Sequence, residues 1–299
     1  MKSIAILGPT ASGKSALAIE LALAFPAYIL SLDSLSLYKH IDIASAKPTE
    51  NERQGIPHFG LDVLFPNEPF DVTQFFELYH HALQHANANH KHLIIVGGTG
   101  FYLKAMMEGL SIKPEISLHV RTEIAEKMLD LASAYALILN IDPIYAQKIA
   151  SSDRYRIEKW LEIFLATAEV PSRYLARAKR APILKGIPLF EIDTPKDILA
   201  HRVAKRTRHM LQTGLIDEVF ALEKTYTRAP QCMKAIGIKE VLDYCDGRHS
   251  LAALEEKIAI NTLHLAKRQR TFNASQFPPH PKMSPKELFS LIAQTLEQF

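Results

Sequence analysis

The chain has 299 residues, 47% of them apolar and 22% charged, with 12 Gly and 17 Pro. That composition excludes a collagen-like, coiled-coil or disordered chain, and a chain this long buries enough surface to fold without disulfides or a structural metal. Net charge is only +3, yet residues 154–270 hold 22 Lys/Arg against 14 Asp/Glu while the remainder holds 13 against 18. The back half therefore carries a positive field, which fits a polyanionic partner such as a nucleic acid and equally the solvated face of ordinary helices. Cys232 and Cys245 show no CxxC spacing, which argues against a disulfide framework or a cysteine zinc site. Lys2 is followed by a short apolar stretch and then a glycine loop, which is not a signal peptide. No run approaches the ~18 apolar residues of a membrane span. The expectation is a cytoplasmic protein with no membrane partner, and a monomer.

In chain order, residues 2–7 read as a short buried strand, 8–13 as a loop and 14–25 as a helix stopped by Pro26. Residues 28–32 read as a second strand ending at Asp33-Ser34. Residues 71–89 read as a long helix with Asp71 as N-cap, and 92–96 as a third buried strand followed by Gly97-Gly98-Thr99-Gly100. Strands alternating with helices predict a parallel α/β sheet. From 113 to about 185 strand signals are sparse, and helices are expected over 117–131, 142–150, 153–168 and 171–180. A strand at 189–192 and helices over 198–222, 238–244, 251–272 and 285–296 return to the core. The predicted organisation is a catalytic core of residues 1–112 and 188–299, with a helical insertion at 113–187.

The run Gly8-Pro9-Thr10-Ala11-Ser12-Gly13-Lys14-Ser15 matches GxxxxGK[ST] between an apolar strand and a helix. Glycines let successive backbone N–H groups face an anion, and the helix N-terminus adds partial positive charge. Lys14 supplies a compact cation, and the Ser15 hydroxyl is the expected Mg²⁺ ligand. Such a loop specifies a di- or triphosphate without choosing a nucleotide. Asp33 ends the second strand, where groups line the crevice of an open sheet; it reads as a ligand or proton acceptor, or as a turn former. The third strand ends in glycines, where P-loop NTPases commonly carry a Mg²⁺-binding acid, so the turn reads as a close backbone approach to a ligand or as a plain β–α turn. Arg202, Arg206 and His209 share one helix face, fit for a pyrophosphate clamp or for a solvated basic face. Basic segments occur at Arg173, Arg177, Lys179, Arg180 and Lys185, with Tyr174 among them, and at Lys267-Arg268-Gln269-Arg270. The histidines at 80, 81, 85 and 90 read as surface residues rather than a metal site. A small-molecule kinase and a non-enzymatic RNA binder remain open on these motifs alone.

Taken together the motifs resemble the tRNA dimethylallyltransferases, also called isopentenyltransferases (IPP transferases), of bacterial type. The resemblance rests on GPTASGKS at 8–15, DSLSLYKHIDIASAKP at 33–48, IPHFGLD at 56–62 and GGTGFYLKA at 97–105. It continues through IDPIYAQKI, SDRYRIEKWLEI, the Arg202-x₃-Arg206-x₃-Met210-x₃-GLIDEV run, KAIGIKE at 234–240 and AKRQRTF at 266–272. It implies a P-loop NTPase-like parallel sheet with an inserted helical domain gripping the tRNA anticodon stem-loop. The implied reaction moves a dimethylallyl group from dimethylallyl diphosphate to the N6 amine of the adenosine just 3′ of the anticodon, in tRNAs reading codons that begin with U. A relative acting on free adenine nucleotides shares the core, generally without a developed insertion.

By resemblance, Thr10 to Ser15 bind the diphosphate, with Mg²⁺ on Ser15. Asp33 is the general base, and Arg206 with Lys14 holds the leaving group. The tRNA contacts fall on Asp33, Ser34, Leu35, Ser36, Thr99 and Arg121. They extend over Tyr155, Arg156, Ile157, Glu158 and Lys159, and over Lys234, Ala235, Ile236, Gly237, Ile238 and Lys239. Ser36 stands where many members have Gln, Lys159 where many have Arg, and Asn273-Ala274 replace an aromatic–arginine ending. These departures bear on fine tRNA contacts and leave the chemistry alone.

Overall fold

The structure, a computed structural model, describes residues 2–112, 114–178 and 181–297. Lys179 and Arg180 of the predicted basic segment lie outside the described residues. The chain divides into two compact units, one of residues up to Ala105 together with those from Leu184 on, the other Met106–Ile183. The second begins and ends a few residues before the insertion expected at 113–187.

The first unit is α/β. Strand β1 (Ser3–Leu7) leads through the glycine loop into α1 (Lys14–Ala24), then β2 (Ala27–Ser31), a single turn α2 (Glu50–Arg53), β3 (His58–Phe59), α3 (Val72–Ala88), β4 (His92–Val96) and α4 (Gly100–Glu108). The sheet order is β3-β2-β4-β1-β5-β6, with β5 (Leu189–Ile192) and β6 (Lys282–Met283) completing it. Every pairing is parallel. Ile4, Ile6, Ile29, Ile94 and Ile192 pack with Leu17 and Leu21 of α1 in one core. A strand flanked on both faces is apolar throughout, which is why β1 and β4 read as unbroken apolar runs. β3 and β6 escape sequence reading because two residues carry no period; their pairing with β2 and β5 alone makes them strands.

In the second unit α5 (Leu118–Lys127), α6 (Leu131–Ile141), the short α7 (Pro143–Ala146), α8 (Arg154–Thr167) and α9 (Pro171–Arg177) close around Ile138, Ile157, Trp160 and Leu161. Helix α6 is absent from the sequence expectation, which ran one helix to residue 131. The Asp130 carboxylate accepts from Ser133 N at 3.1 Å and starts α6 afresh. Asp142 is this unit's keystone. Its buried carboxylate accepts from the Trp160 indole at 3.1 Å, Ser172 N at 2.8 Å and Tyr145 N at 3.2 Å. Burial works to raise its pKa, and these donors outweigh it, so Asp142 titrates below the ordinary aspartate range.

After β5 the first unit resumes with α10 (Lys196–Gln212), α11 (Leu215–Tyr226), a short 3-10 turn Gln231–Lys234, α12 (Ile238–Cys245), α13 (Leu251–Gln276) and α14 (Pro285–Glu297). The expected single helix over 198–222 is two, because Gly214 at φ 103° caps α11 in the left-handed region where a side chain is strained. No helix of the described residues is long and apolar enough to cross a membrane.

Candidate active site

The carboxyl ends of β1, β2 and β4 open into a cleft of about 640 Å³ lined by the loop residues Thr10, Ala11, Gly13, Lys14 and Ser15. Asp33, Ser36, Gly97, Gly98, Arg202, Arg206, His209 and Gln269 line it too. The loop turns on Ala11 at φ 63° and Gly13 at φ 96°, the second being the N-cap of α1. Gly8, also at positive φ, sits where an added Cβ would fall 2.9 Å from Ser12 Oγ. Ser12 Oγ itself is buried with no hydrogen-bond partner among the described residues.

Lys14 is buried, and its ammonium donates to Pro9 O at 2.7 Å. Burial lowers its pKa to about 8; Asp33 and Glu191 pull it up and Arg206 pushes it down. Arg206 donates to Thr10 Oγ1 at 2.9 Å and Arg202 to Ser12 O at 3.0 Å. Burial lowers the Arg206 pKa too, with Asp33 opposing. A buried cation and a half-buried one, with few acceptors of their own, suit an anionic ligand. The face shared by Arg202, Arg206 and His209 lines the cleft, with Arg202 and His209 exposed to solvent and Arg206 half-buried.

Asp33 combines both of its sequence readings. Oδ1 accepts from Leu35 N at 2.9 Å and Ser36 N at 3.3 Å, a turn former's role, while the carboxylate still faces the cleft. Tyr102, on α4, hydrogen-bonds Ser34; burial first, then the Asp33 charge, pushes its pKa up to about 12, so the phenol stays protonated. His58 also lines the cleft, and burial lowers its pKa, outweighing the Ile56 carbonyl, so it is neutral near pH 7.

The wall formed by residues 42–49 is held by charges the sequence reading passed over. The Glu218 carboxylate accepts from Asp42 N at 2.9 Å, Ile43 N at 2.7 Å and Ala44 N at 2.9 Å. Lys47, buried, donates to Tyr38 O at 2.8 Å and pairs with Asp42 and Asp62 at 2.7 and 2.6 Å. Only the KP and GLD ends of two separate motifs hinted at this clasp.

The glycine turn after β4 is closely packed by the protein itself, and Gly97 and Gly98 also line the cleft. A Cβ on Gly97 would lie 2.2 Å from Leu32 O, and one on Gly98 would lie 2.3 Å from Gln269 Nε2. At Gly100 the neighbours are Asn273 and Phe272, each 3.0 Å away. The segment 267–270 is not simply a basic knot either: Gln269 faces the cleft and Arg270 donates to Thr194 O.

The remaining predicted contact residues separate by exposure. Lys234 and Lys239 are exposed, but Ile238 is fully buried; Leu35, Ala235 and Ile236 pack against its cluster. Gly237 takes φ 93° and its N–H bonds Glu240 at 2.7 Å. Thr99 is half-buried, its N–H on Leu32 O at 3.1 Å. In the second unit Arg121, Tyr155 and Arg156 are exposed, whereas Ile157 is core. The Ile157 and Ile238 side chains are both fully buried in the cores of their segments. Arg121, Glu158 and Lys159 line a separate cleft with Arg154 and Glu162, and Lys159 pairs with Glu162. Among the described residues no group of three or more His, Cys, Asp or Glu is arranged to hold a metal.

A phosphate loop, a cluster of cations and a carboxylate facing one cleft on a parallel sheet define a P-loop group-transfer enzyme. The sequence matches the IPP transferase family over residues 36–276. It is 50% identical over 295 residues to the tRNA dimethylallyltransferase of Sulfurovum sp. (strain NBC37-1), covering 98% of each chain. The tRNA dimethylallyltransferase of Campylobacter jejuni (strain RM1221) is 46% identical over 270 residues, 90% of each. Among solved structures, the full-length tRNA isopentenylpyrophosphate transferase of Bacillus halodurans superposes with a TM-score of 0.71 at 28% identity, covering 99% of this chain and 97% of that one. A eukaryotic dimethylallyltransferase acting on tRNA gives a TM-score of 0.76 at 26% identity, over 91% of this chain and 70% of that one. The chain belongs to the IPP transferase family.

Proposed function

We propose that this enzyme transfers a dimethylallyl group from dimethylallyl diphosphate to the N6 amine of the adenosine adjoining the anticodon on its 3′ side, in tRNAs reading codons that begin with U. The observation that carries the reading is one cleft holding the buried Lys14 and the half-buried Arg206 together with the Asp33 carboxylate. The allylic carbon ionises readily once departing charge is neutralised, and Lys14, Arg206, Arg202 and the loop amides are pre-placed to do so. Phosphate oxygens would replace Pro9 O on Lys14 and Thr10 Oγ1 on Arg206, giving stronger charge-assisted bonds. The adenine amine is a weak nucleophile, and Asp33 would take its proton as the C–N bond forms. No water is activated, so glycines in place of an acid after β4 are no handicap.

The Ser15 hydroxyl, exposed on the cleft, fits Mg²⁺, an ion that keeps several waters and takes its other ligands from phosphate oxygens. Bound there, Mg²⁺ would offset charge on the departing diphosphate. The exposed Arg121, Tyr155 and Arg156 of the helical unit, with Lys234 and Lys239 of the core, would contact the anticodon stem-loop. The target base must leave its stack to reach the cleft. The chain would act as a monomer.

The test is a transfer assay with Mg²⁺ and radiolabelled dimethylallyl diphosphate, offering unmodified tRNA with an A-A-A run beside the anticodon, and AMP separately. Label on the tRNA adenosine is the expected result. Label on AMP alone would keep the chemistry and remove the role given to the helical unit.

A further inference from the structure

We propose that Gln269 is a positioning residue for this reaction, setting the phosphate loop against the opposite rim of the cleft. It sits on α13 and its side-chain amide spans two glycine-containing segments. Oε1 accepts from Thr10 N at 2.7 Å, and Nε2 donates to Gly98 O at 3.0 Å. A primary amide presents an acceptor and a donor in one plane, which no charged side chain and no hydrocarbon can do. A Cβ on Gly98 would meet Gln269 Nε2 at 2.3 Å and push this amide aside. The next turn of α13 seats Phe272 and Asn273 against Gly100 in the same way.

Thr10 is the pivot. Its N–H is taken by Gln269 and its hydroxyl oxygen accepts from Arg206 at 2.9 Å. Gln269 thereby fixes the residue that holds the half-buried Arg206, the cation for the leaving diphosphate. On the other side, Thr99 follows Gly98 and its N–H bonds Leu32 O, one residue before Asp33. One amide therefore ties the diphosphate side of the cleft to the side that would receive the base. Group transfer between two bound reactants depends steeply on that separation; a misplacement of about 1 Å costs about 100-fold in rate. The inference rests on the cleft being the prenyl-transfer site.

The experiment compares Gln269→Met, which keeps the volume and loses both bonds, with Gln269→Glu. Steady-state transfer, inorganic pyrophosphate binding by calorimetry, tRNA binding and thermal melting are measured for each. Gln269→Met is expected to lower kcat about 10–100-fold and to weaken pyrophosphate binding, with tRNA affinity unchanged. In Gln269→Glu the ionised carboxylate still accepts from Thr10 N but faces the Gly98 carbonyl without a proton. Once protonated, the introduced carboxyl again has one donor and one acceptor. The activity of this variant relative to wild type should therefore recover as pH falls toward about 5, a response that packing alone would not produce.

Wild-type kcat and pyrophosphate affinity in Gln269→Met would overturn the proposal. So would a loss confined to tRNA affinity, or a Gln269→Glu ratio flat with pH. If Gln269→Met fails to fold, the pH response of Gln269→Glu decides. If wild type transfers nothing to tRNA, the reading of the cleft fails, while the pyrophosphate isotherms still report on Gln269.

Discussion

The two units solve opposite electrostatic problems. The α/β unit buries charge: Lys14, Lys47 and Glu191 all lie below a tenth of their surface exposed. Lys47 and Glu191 have protein partners, in Asp42 and Asp62 for the first and in Asn273 and His280 for the second. Among the described residues Lys14 hydrogen-bonds only a backbone carbonyl. Among the described residues the helical unit buries one carboxylate, Asp142, gives it neutral donors, and buries no cation. A site built for chemistry keeps an unfinished interaction inside; a unit built for binding finishes its interior and offers charge on its surface.

The sharpest way to break this contrast is at Asp33. Asp33→Asn keeps an acceptor for the Leu35 and Ser36 amides but cannot take a proton, and it is expected to lower turnover by about 10²–10⁴-fold while tRNA affinity stays near wild type. Rapid-quench transfer and filter binding check both halves; wild-type turnover would remove Asp33 as the base. In the helical unit the counterpart is Trp160→Ala. It empties a fully buried site and strips a donor from Asp142, so this unit should lose about 3–5 kcal/mol. Hydrogen exchange should report the loss in α6 and α8, with pyrophosphate binding by the α/β unit retained.

Lys14 makes a pH prediction with a definite sign. Its folded pKa of about 8 lies below the ordinary 10.5, so between those values the unfolded chain holds more protons. Stability of the ligand-free protein then rises with pH across that window, by of order 3 kcal/mol. Urea titrations of wild type against Lys14→Met isolate it; parallel pH curves would refute the burial argument. Pyrophosphate, which needs the charged amine, should bind more weakly above about pH 8. The smallest effect belongs to the surface. Arg121→Ala should weaken tRNA binding evenly across sequences and reduce the salt slope by about 1, and an unchanged slope would place Arg121 outside the interface.

Where function needs a local backbone pattern, the sequence was readable. The phosphate loop, Asp33 at a strand end and the Arg202–Arg206 spacing are each fixed by neighbours within a turn. The glycine turn at 97–100 was visible as a turn, but its reason was not: Leu32, Gln269 and Phe272 are distant in sequence and meet it only in the fold. Glu218 fell within a stretch that reads as helix, yet its partners at 42–44 lie far upstream. The break at Gly214 that lets α11 begin there was missed because either side reads as helix.

By itself, then, the sequence determined β1, β2, β4, β5 and most of the core helices, the parallel sheet, the phosphate loop and the family resemblance. The elements and the loop follow from the period of apolar residues and from glycines at fixed spacing, and the resemblance rests on short motifs in order; all are local properties. Only tertiary structure decided which charges are buried, that Asp142 anchors the helical unit, and that Glu218, Lys47 and Gln269 hold the walls of the cleft. Burial and long-range hydrogen bonding depend on which segments meet, and a polar side chain looks the same in the sequence whether it ends in water or against a backbone amide across the site.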